Sequence, residues 1–333
     1  MSLDIKPLAT IVAAVALLLS APPAGLAQQS QAKTAHIGIL VGGSLKQRGH
    51  LEQALLQGLR EQGYVEGKNL VIERRYADGY REKVPEFARE LAGMKLDAVV
   101  TTCTPSTRAA RQATASTPIV MAAVADPVGQ KLIASLARPG ANITGLASQA
   151  EDIVPKMMEF FSGVLPRQTT VAVLAEARSD VHPRMWQALG PLAQKLNLKL
   201  VKIVAASPAD LPIAFESALR ERAGAMLVLP DEPMFLSQRA MIVELAAKHR
   251  LPAFYGAREF VDDGGLMSYG ENLRTAYRKV ASYINKLTRG VKPGQIPVEQ
   301  PTKFELVVNL KTAKALGLKI PQAILVRADT VIE

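Results

Sequence analysis

Cys103 is the single cysteine of a 333-residue chain, and it sits in the run Thr101-Thr102-Cys103-Thr104-Pro105-Ser106-Thr107. A nucleophilic thiolate needs an adjacent base, and nothing in the sequence pairs His36 or His50 with it. The run reads instead as a small-residue lining of a ligand pocket. Thr104 suits the N-cap of a helix and Pro105 its first turn. The free amides there would donate to a ligand carboxylate. Asp126-Pro127 and Asp231-Glu232-Pro233 each follow an apolar strand. A carboxylate at such a place pairs with a ligand ammonium group or caps the next helix. Under the first reading Asp231 takes the amine of a ligand whose carboxylate lies at Thr104. Gly42 and Gly43 follow a strand without dinucleotide-binding spacing and read as a tight turn beside a ligand, with Ser44 next to it. The segment Gly63 to Asn69 is one residue short of a P-loop, and Asn69 replaces its Ser or Thr, so it reads as a helix-ending turn.

These residues need elements to position them. His36–Val41, Asn69–Arg75, Asp97–Thr102 and Pro118–Ala123 read as short apolar strands. Between them lie helical patterns over Gly49–Gln62, Lys83–Ala92 and Pro105–Ala115. The order restarts about 130 residues later, a spacing too long for a solenoid. Strands Thr170–Leu174, Lys199–Val204, Ala225–Leu229 and Pro252–Tyr255 alternate with helices over 182–196, 209–221 and 234–249. Such alternation implies α/β architecture: two doubly wound parallel-sheet lobes in tandem. The stretches Gly140–Gly145 and Tyr269–Asn272 read as turn-rich connections between them. Lobes joined by several crossings make a hinged cleft, and ligands sit at the carboxyl ends of strands.

That placement defines the candidate ligand-binding set: Gly43, Ser44, Thr102, Cys103, Thr104, Ala123, Asp126, Ser179, Asp231, Tyr255, Gly256 and Tyr269. The two tyrosines offer an aromatic wall. Trp186 reads as packed on its helix, and His182 and His249 as surface residues. No catalytic constellation, metal set or cofactor motif is present. There is no G-x-S-x-G elbow and no H-E-x-x-H pair. One cysteine excludes an intramolecular disulfide framework.

The first 27 residues read as a cleaved secretory signal. Lys6 precedes an apolar run from Leu8 to Ala21, and Gly25-Leu26-Ala27 places small residues at a cleavage site. The run is shorter than the ~20 residues a spanning helix needs. Gln28 is then the mature N-terminus, residues 28–35 are a flexible leader, and the location is periplasmic. The formal charge of +10 is spread over helices among Asp and Glu, so nucleic-acid binding is not expected.

Several stretches carry a resemblance. Gly58-Leu59-Arg60 runs on through Gly63-Tyr64 to Gly67-Lys68-Asn69. Pro118-Ile119-Val120 leads to Ala125-Asp126-Pro127-Val128. Arg138-Pro139-Gly140-Ala141-Asn142-Ile143-Thr144-Gly145 follows, and Asn309-Leu310-Lys311-Thr312-Ala313, Ala315-Leu316-Gly317 and Ile320-Pro321 close the set. Over nearly all of the mature length the chain resembles the ABC-transporter substrate-binding family that includes bacterial tryptophan- and tyrosine-binding proteins. The resemblance implies a type I periplasmic binding protein fold, a monomer, a small-molecule ligand such as an amino acid, and an ABC permease as partner. The loop Ala175-Glu176-Ala177-Arg178-Ser179 departs from the asparagine-rich form of the amino-acid binders. The resemblance and the alternation together place lobe 1 at 36–145 plus about 272–301 and lobe 2 at 146–271, with 302–333 crossing the hinge. The competing functions are a periplasmic enzyme or a ligand sensor using the same cleft.

Overall fold

The computed structural model describes residues 34–230 and 233–333. The expected signal, most of the leader, and Asp231 and Glu232 lie outside the described residues. Ala35, expected as the last residue of the leader, begins the first strand.

In chain order the elements are β1 (Ala35–Val41), α1 (Leu45–Glu61), β2 (Leu70–Tyr76), α2 (Val84–Ala92), β3 (Ala98–Thr101), α3 (Thr104–Ala113), β4 (Ile119–Ala125) and β5 (Ile143–Ser148). Then follow α4 (Ala150–Ser162), β6 (Thr170–Glu176), α5 (His182–Lys195), β7 (Lys199–Ala205), α6 (Leu211–Arg220) and β8 (Ala225–Val228). The rest comprises α7 (Pro233–Ser237), α8 (Arg239–Lys248), β9 (Ala253–Tyr255), α9 (Arg258–Asp262), β10 (Met267–Glu271) and α10 (Leu273–Thr288). The C-terminal segment holds β11 (Phe304–Asn309), α11 (Leu310–Ala315), α12 (Gln322–Leu325) and β12 (Thr330–Ile332).

The strands form two sheets. The first is five-stranded in the order β2-β1-β3-β4-β5 and parallel throughout. The second has seven strands, β12-β11-β10-β9-β8-β6-β7. All its pairs are parallel except β10 with β11. The central strands are buried on both faces, as helices on both sides require. Val171, Val173 and Leu227 share one core cluster with Met157 and Phe161 of α4 in the second lobe, for example.

Two stretches expected as turns differ. Ile143–Ser148 continues past the Gly140–Asn142 turn as the edge strand of the first sheet, and Met267–Glu271 is a full strand of the second. The glycines that suggested turns are sites of close backbone approach. A Cβ at Gly145 would lie 2.3 Å from the Met121 carbonyl, and one at Gly270 would lie 1.9 Å from the Gly256 carbonyl. The helix expected over 234–249 is broken into α7 and α8 at Gln238.

Three crossings join the lobes: Ser148 to Ala150, Glu271 to Leu273, and the segment from Glu299 to Phe304. Helix α10 leaves the second sheet and packs on α1 and β4 of the first lobe. The chain then pairs Glu299 beside Leu146 at the edge of the first sheet before re-entering the second as β11. The α1–α10 contact depends on Gly58, where a Cβ would fall 2.2 Å from the Arg278 carbonyl oxygen. Backbone cannot yield as a side-chain tip can. Gly58→Ala is expected to cost ~1–3 kcal/mol by overpacking, read as a lower urea midpoint with an unchanged slope.

The lobes are closed on one another. Arg81 reaches Glu176 at 3.3 Å, Arg108 reaches Asp180 at 2.7 Å and Arg184 reaches Asp126 at 2.7 Å. His50 lies 3.3 Å from Glu259, and Arg239 donates to the Gln47 carbonyl at 2.9 Å.

Candidate ligand-binding site

The carboxyl ends of β3, β4, β8, β9 and β10 converge on a cavity between the lobes. The first lobe contributes Arg48 from α1, Thr102 and Cys103 after β3, Ala123 from β4 and Tyr277 from α10. The second contributes Val228 at the end of β8, Leu229 and Pro230 after it, Phe235 from α7, Gly256 after β9 and Phe260 from α9. The crossings add Ser148, Gln149, Glu271 and Phe304. Most of the wall is apolar, and four aromatic rings belong to it.

Two charged side chains face this space. Arg48 lies on the buried face of α1 with Leu51, Leu55 and Leu59, only 6% exposed. One of its terminal nitrogens is 3.5 Å from the Tyr277 hydroxyl, and its Nε is buried without a hydrogen-bond partner. Glu271 ends β10 at the hinge, and its carboxyl makes no hydrogen bond or ion pair among the described residues. Burial first, and then the charge of Glu259, raise its pKa to about 8. Glu259 behaves oppositely. Burial works to raise it, but the His50 hydrogen bond and the charges of His50 and Arg239 hold it below the usual carboxylate range.

Of the residues expected at the site, Thr102, Cys103, Ala123 and Gly256 line the cavity. The others are placed elsewhere, for identifiable reasons. Cys103, not Thr104, is the N-cap of α3. Amides around that start are engaged locally: the Ser106 hydroxyl accepts from the Thr102 and Cys103 amides at 3.1 and 3.2 Å, the Ser106 N–H turns to the Cys103 side chain, and Thr107 N–H donates to the Cys103 carbonyl. The Thr104 hydroxyl is buried without a partner but does not belong to the cavity wall. The hydroxyl on which the anion site was expected is thus not on the cavity wall. Ser44 caps α1 in a capping box with Gln47. Asp126 accepts from Gly129 N–H at 2.8 Å and pairs with Arg184, so its carboxylate is committed to a turn and to the lobe interface. The Ser179 hydroxyl accepts from the amides of Val181 and His182. Tyr255 is 1% exposed in the core, with its ring stacked 4.6 Å from Phe260. Tyr269 packs between Phe160 and Phe304, 5.3 and 5.8 Å away. Gly43 lies at the lobe interface rather than in the cavity wall. Asp231 is outside the described residues.

The thiol of Cys103 is 3.2 Å from the Ser106 hydroxyl, and His50 is turned to Glu259. His182 is not on the surface. It is 1% exposed, its Nδ1 accepts from Glu176 N–H at 2.9 Å, and its Nε2 is 2.9 Å from the Pro230 carbonyl.

The family model of the ABC transporter substrate binding protein matches residues 37–332, that is, both sheets, all three crossings and the cleft between them. The chain belongs to the ABC transporter substrate-binding protein family. It is 25% identical over 269 residues to a tyrosine-binding protein of Clostridioides difficile, covering 80% of this chain and 76% of that protein. Among solved structures, a conserved domain protein from Vibrio cholerae superposes with a TM-score of 0.83 at 30% identity, covering 90% of this chain and 100% of that one. An ABC domain from Streptococcus pneumoniae in complex with L-Trp gives 0.80 at 25% identity, covering 89% of this chain and 100% of that one. The fold is that of the type I periplasmic binding proteins, and the homologues are substrate-binding proteins rather than enzymes. No helix among the described residues is long and apolar enough to cross a membrane.

Proposed function

We propose that the protein is the exported receptor of an ABC importer, and that it holds an amino acid, aromatic by preference, in the closed cleft between its lobes. The carrying observation is the pairing of one buried arginine and one partnerless carboxyl with an aromatic wall in a single cavity. Arg48 supplies donors for a ligand carboxylate, taking the part that the sequence assigned to the start of α3. Phe235, Phe260, Phe304 and Tyr277 provide the apolar faces for a ring. The relatives named for tyrosine and bound to L-Trp support this ligand class. The apolar run ending near Ala27 supports export to the periplasm, where a permease would receive the loaded monomer.

Native mass spectrometry of protein purified without added ligand, followed by calorimetry with the twenty amino acids, tests the reading. An aromatic amino acid should bind and be recovered unchanged, as a receptor requires and an enzyme does not. Arg48→Met keeps much of the side-chain volume and removes the charge. It should weaken that ligand by ~1.5–3 kcal/mol, the range of a charge-assisted hydrogen bond. Equal affinity in the folded variant, or no binding of any amino acid to the parent, overturns the reading.

A further inference from the structure

Glu271 is placed where a purely structural carboxylate would not be. It stands at a crossing, on the wall of the ligand cavity and also on that of a second cavity behind the hinge. It has no side-chain partner, although charged groups surround it. From α9 comes Glu259, already matched by His50 of α1. From α1 comes Arg48 and from α10 Tyr277, both in the ligand cavity. On the hinge side are Lys279 of α10, Glu299 and Lys303 of the third crossing, and Glu305 of β11. These are engaged with one another or elsewhere: Lys279 with Glu299, Lys303 with Asp329, and Glu305 with the Asn272 amide at 2.8 Å.

A carboxylate left ionised here would be only partly open to solvent and would have no ion-pair partner among the described residues, while the charge of Glu259 acts against it. Protonation resolves the conflict, and of the two neighbouring acids the proton settles on the one without partners. We propose that Glu271 selects for a cationic group on the ligand: it is a neutral acid in the empty closed cleft, and it releases its proton to solvent when a ligand ammonium group takes the proton's place. The inference rests on the amino-acid reading above and adds which end of the ligand is sensed at the hinge, and how. Because Glu271 lies on a crossing, its change of charge occurs at the joint between the lobes.

Calorimetry in buffers of different ionisation enthalpy tests this with three probes: L-tyrosine, tyramine and 3-(4-hydroxyphenyl)propionate. At pH 7 L-tyrosine should release close to one proton per molecule bound. The release should fade toward pH 9, and affinity should fall ~tenfold per pH unit below about pH 8. Tyramine should bind with the same proton release, and the deaminated acid should bind more weakly and release none. Glu271→Gln should abolish the release and the pH dependence. Its urea midpoint at pH 7 should match or exceed the parent's, because a buried ionisable group has been removed. If L-tyrosine binds without proton release, or the deaminated acid binds as tightly, the role given to Glu271 is wrong while the amino-acid reading stands. If L-tryptophan, tryptamine and indole-3-propionate replace them and show no proton release, the role given to Glu271 is equally wrong; if no amino acid binds at all, the amino-acid reading fails, and the inference falls with it.

Discussion

Gly43→Leu should leave the protein folded but unable to close, with ligand affinity reduced a hundredfold or more, equivalent to ~3 kcal/mol. Gly43 lies between β1 and α1 in the first lobe, opposite Ser237 at the end of α7 in the second. A Cβ at this position would fall 2.3 Å from the Ser237 hydroxyl and 3.1 Å from Arg48 Nε. Alanine is a mild test, because the hydroxyl swings aside. A branched side chain has nowhere to go unless the lobes separate. Within the first lobe the Arg48 side chain must also shift, so scattering rather than affinity reports closure, but the loop backbone loses little: the Gly43 carbonyl still accepts from Asp78 N–H, and Gly43 is not among the residues with positive φ. The variant therefore shifts the open–closed equilibrium, and a ligand must overcome that shift from its own binding energy. Small-angle scattering should give one radius of gyration for the variant with and without ligand, against a decrease on saturation for the parent. A variant that closes and binds like the parent would show that Gly43 is not at the closing surface.

Features set by local pattern are legible in the sequence, and those set by this interface are not. Strand–helix alternation exposed both sheets, because apolar runs bounded by turns need only local patterning. It also pointed to four residues of the cavity wall, Thr102, Cys103, Ala123 and Gly256, because the carboxyl ends of such strands face a cleft whatever the ligand. The hydroxyls and carboxylates of the loops were harder. Ser44, Ser179 and Asp126 have the chemistry of ligand contacts and are spent on caps and a turn, a choice that sequence leaves open. Arg48 and Glu271 were missed although each carried a signal. Arg48 falls in register with Leu51, Leu55 and Leu59, so a charge sits on the buried stripe of an amphipathic helix. Glu271 ends an apolar strand just where the chain changes lobes. Neither signal names a cavity, since the two side chains are 223 positions apart and meet only because α10 returns to pack on α1.

His182 should make the protein's stability depend on acid in a way that one substitution isolates. Both ring nitrogens are committed only in the neutral form with the proton on Nε2: that nitrogen donates to the Pro230 carbonyl, and Nδ1 accepts from Glu176 N–H. The ring also stacks on Phe235 of the cavity wall, 6.0 Å between centroids. A second proton would confront Nδ1 with an amide N–H in a site closed to water, and burial lowers the pKa to about 4. The unfolded chain takes up its proton near pH 6.5, the folded one only near 4. His182 thus contributes stability that is complete above pH 6.5 and is lost as pH falls toward 4, in all ~3 kcal/mol. Glu271 acts with the opposite sign. Its folded pKa is raised, so its contribution is complete below about pH 4.5 and is lost as pH rises toward 8. In the parent the two slopes oppose each other between roughly pH 4.5 and 6.5, and a flat profile there would conceal both. Urea unfolding of His182→Gln and Glu271→Gln at half-unit steps separates them. Relative to the parent, the first variant should gain stability as pH falls from 6.5 to 4, and the second should gain it as pH rises from 4.5 to 8. A His182→Gln profile parallel to the parent's would mean that the ring takes up its proton in the folded chain at an ordinary pH. The two hydrogen bonds that tie β6 to the Pro230 loop would then not depend on a neutral imidazole.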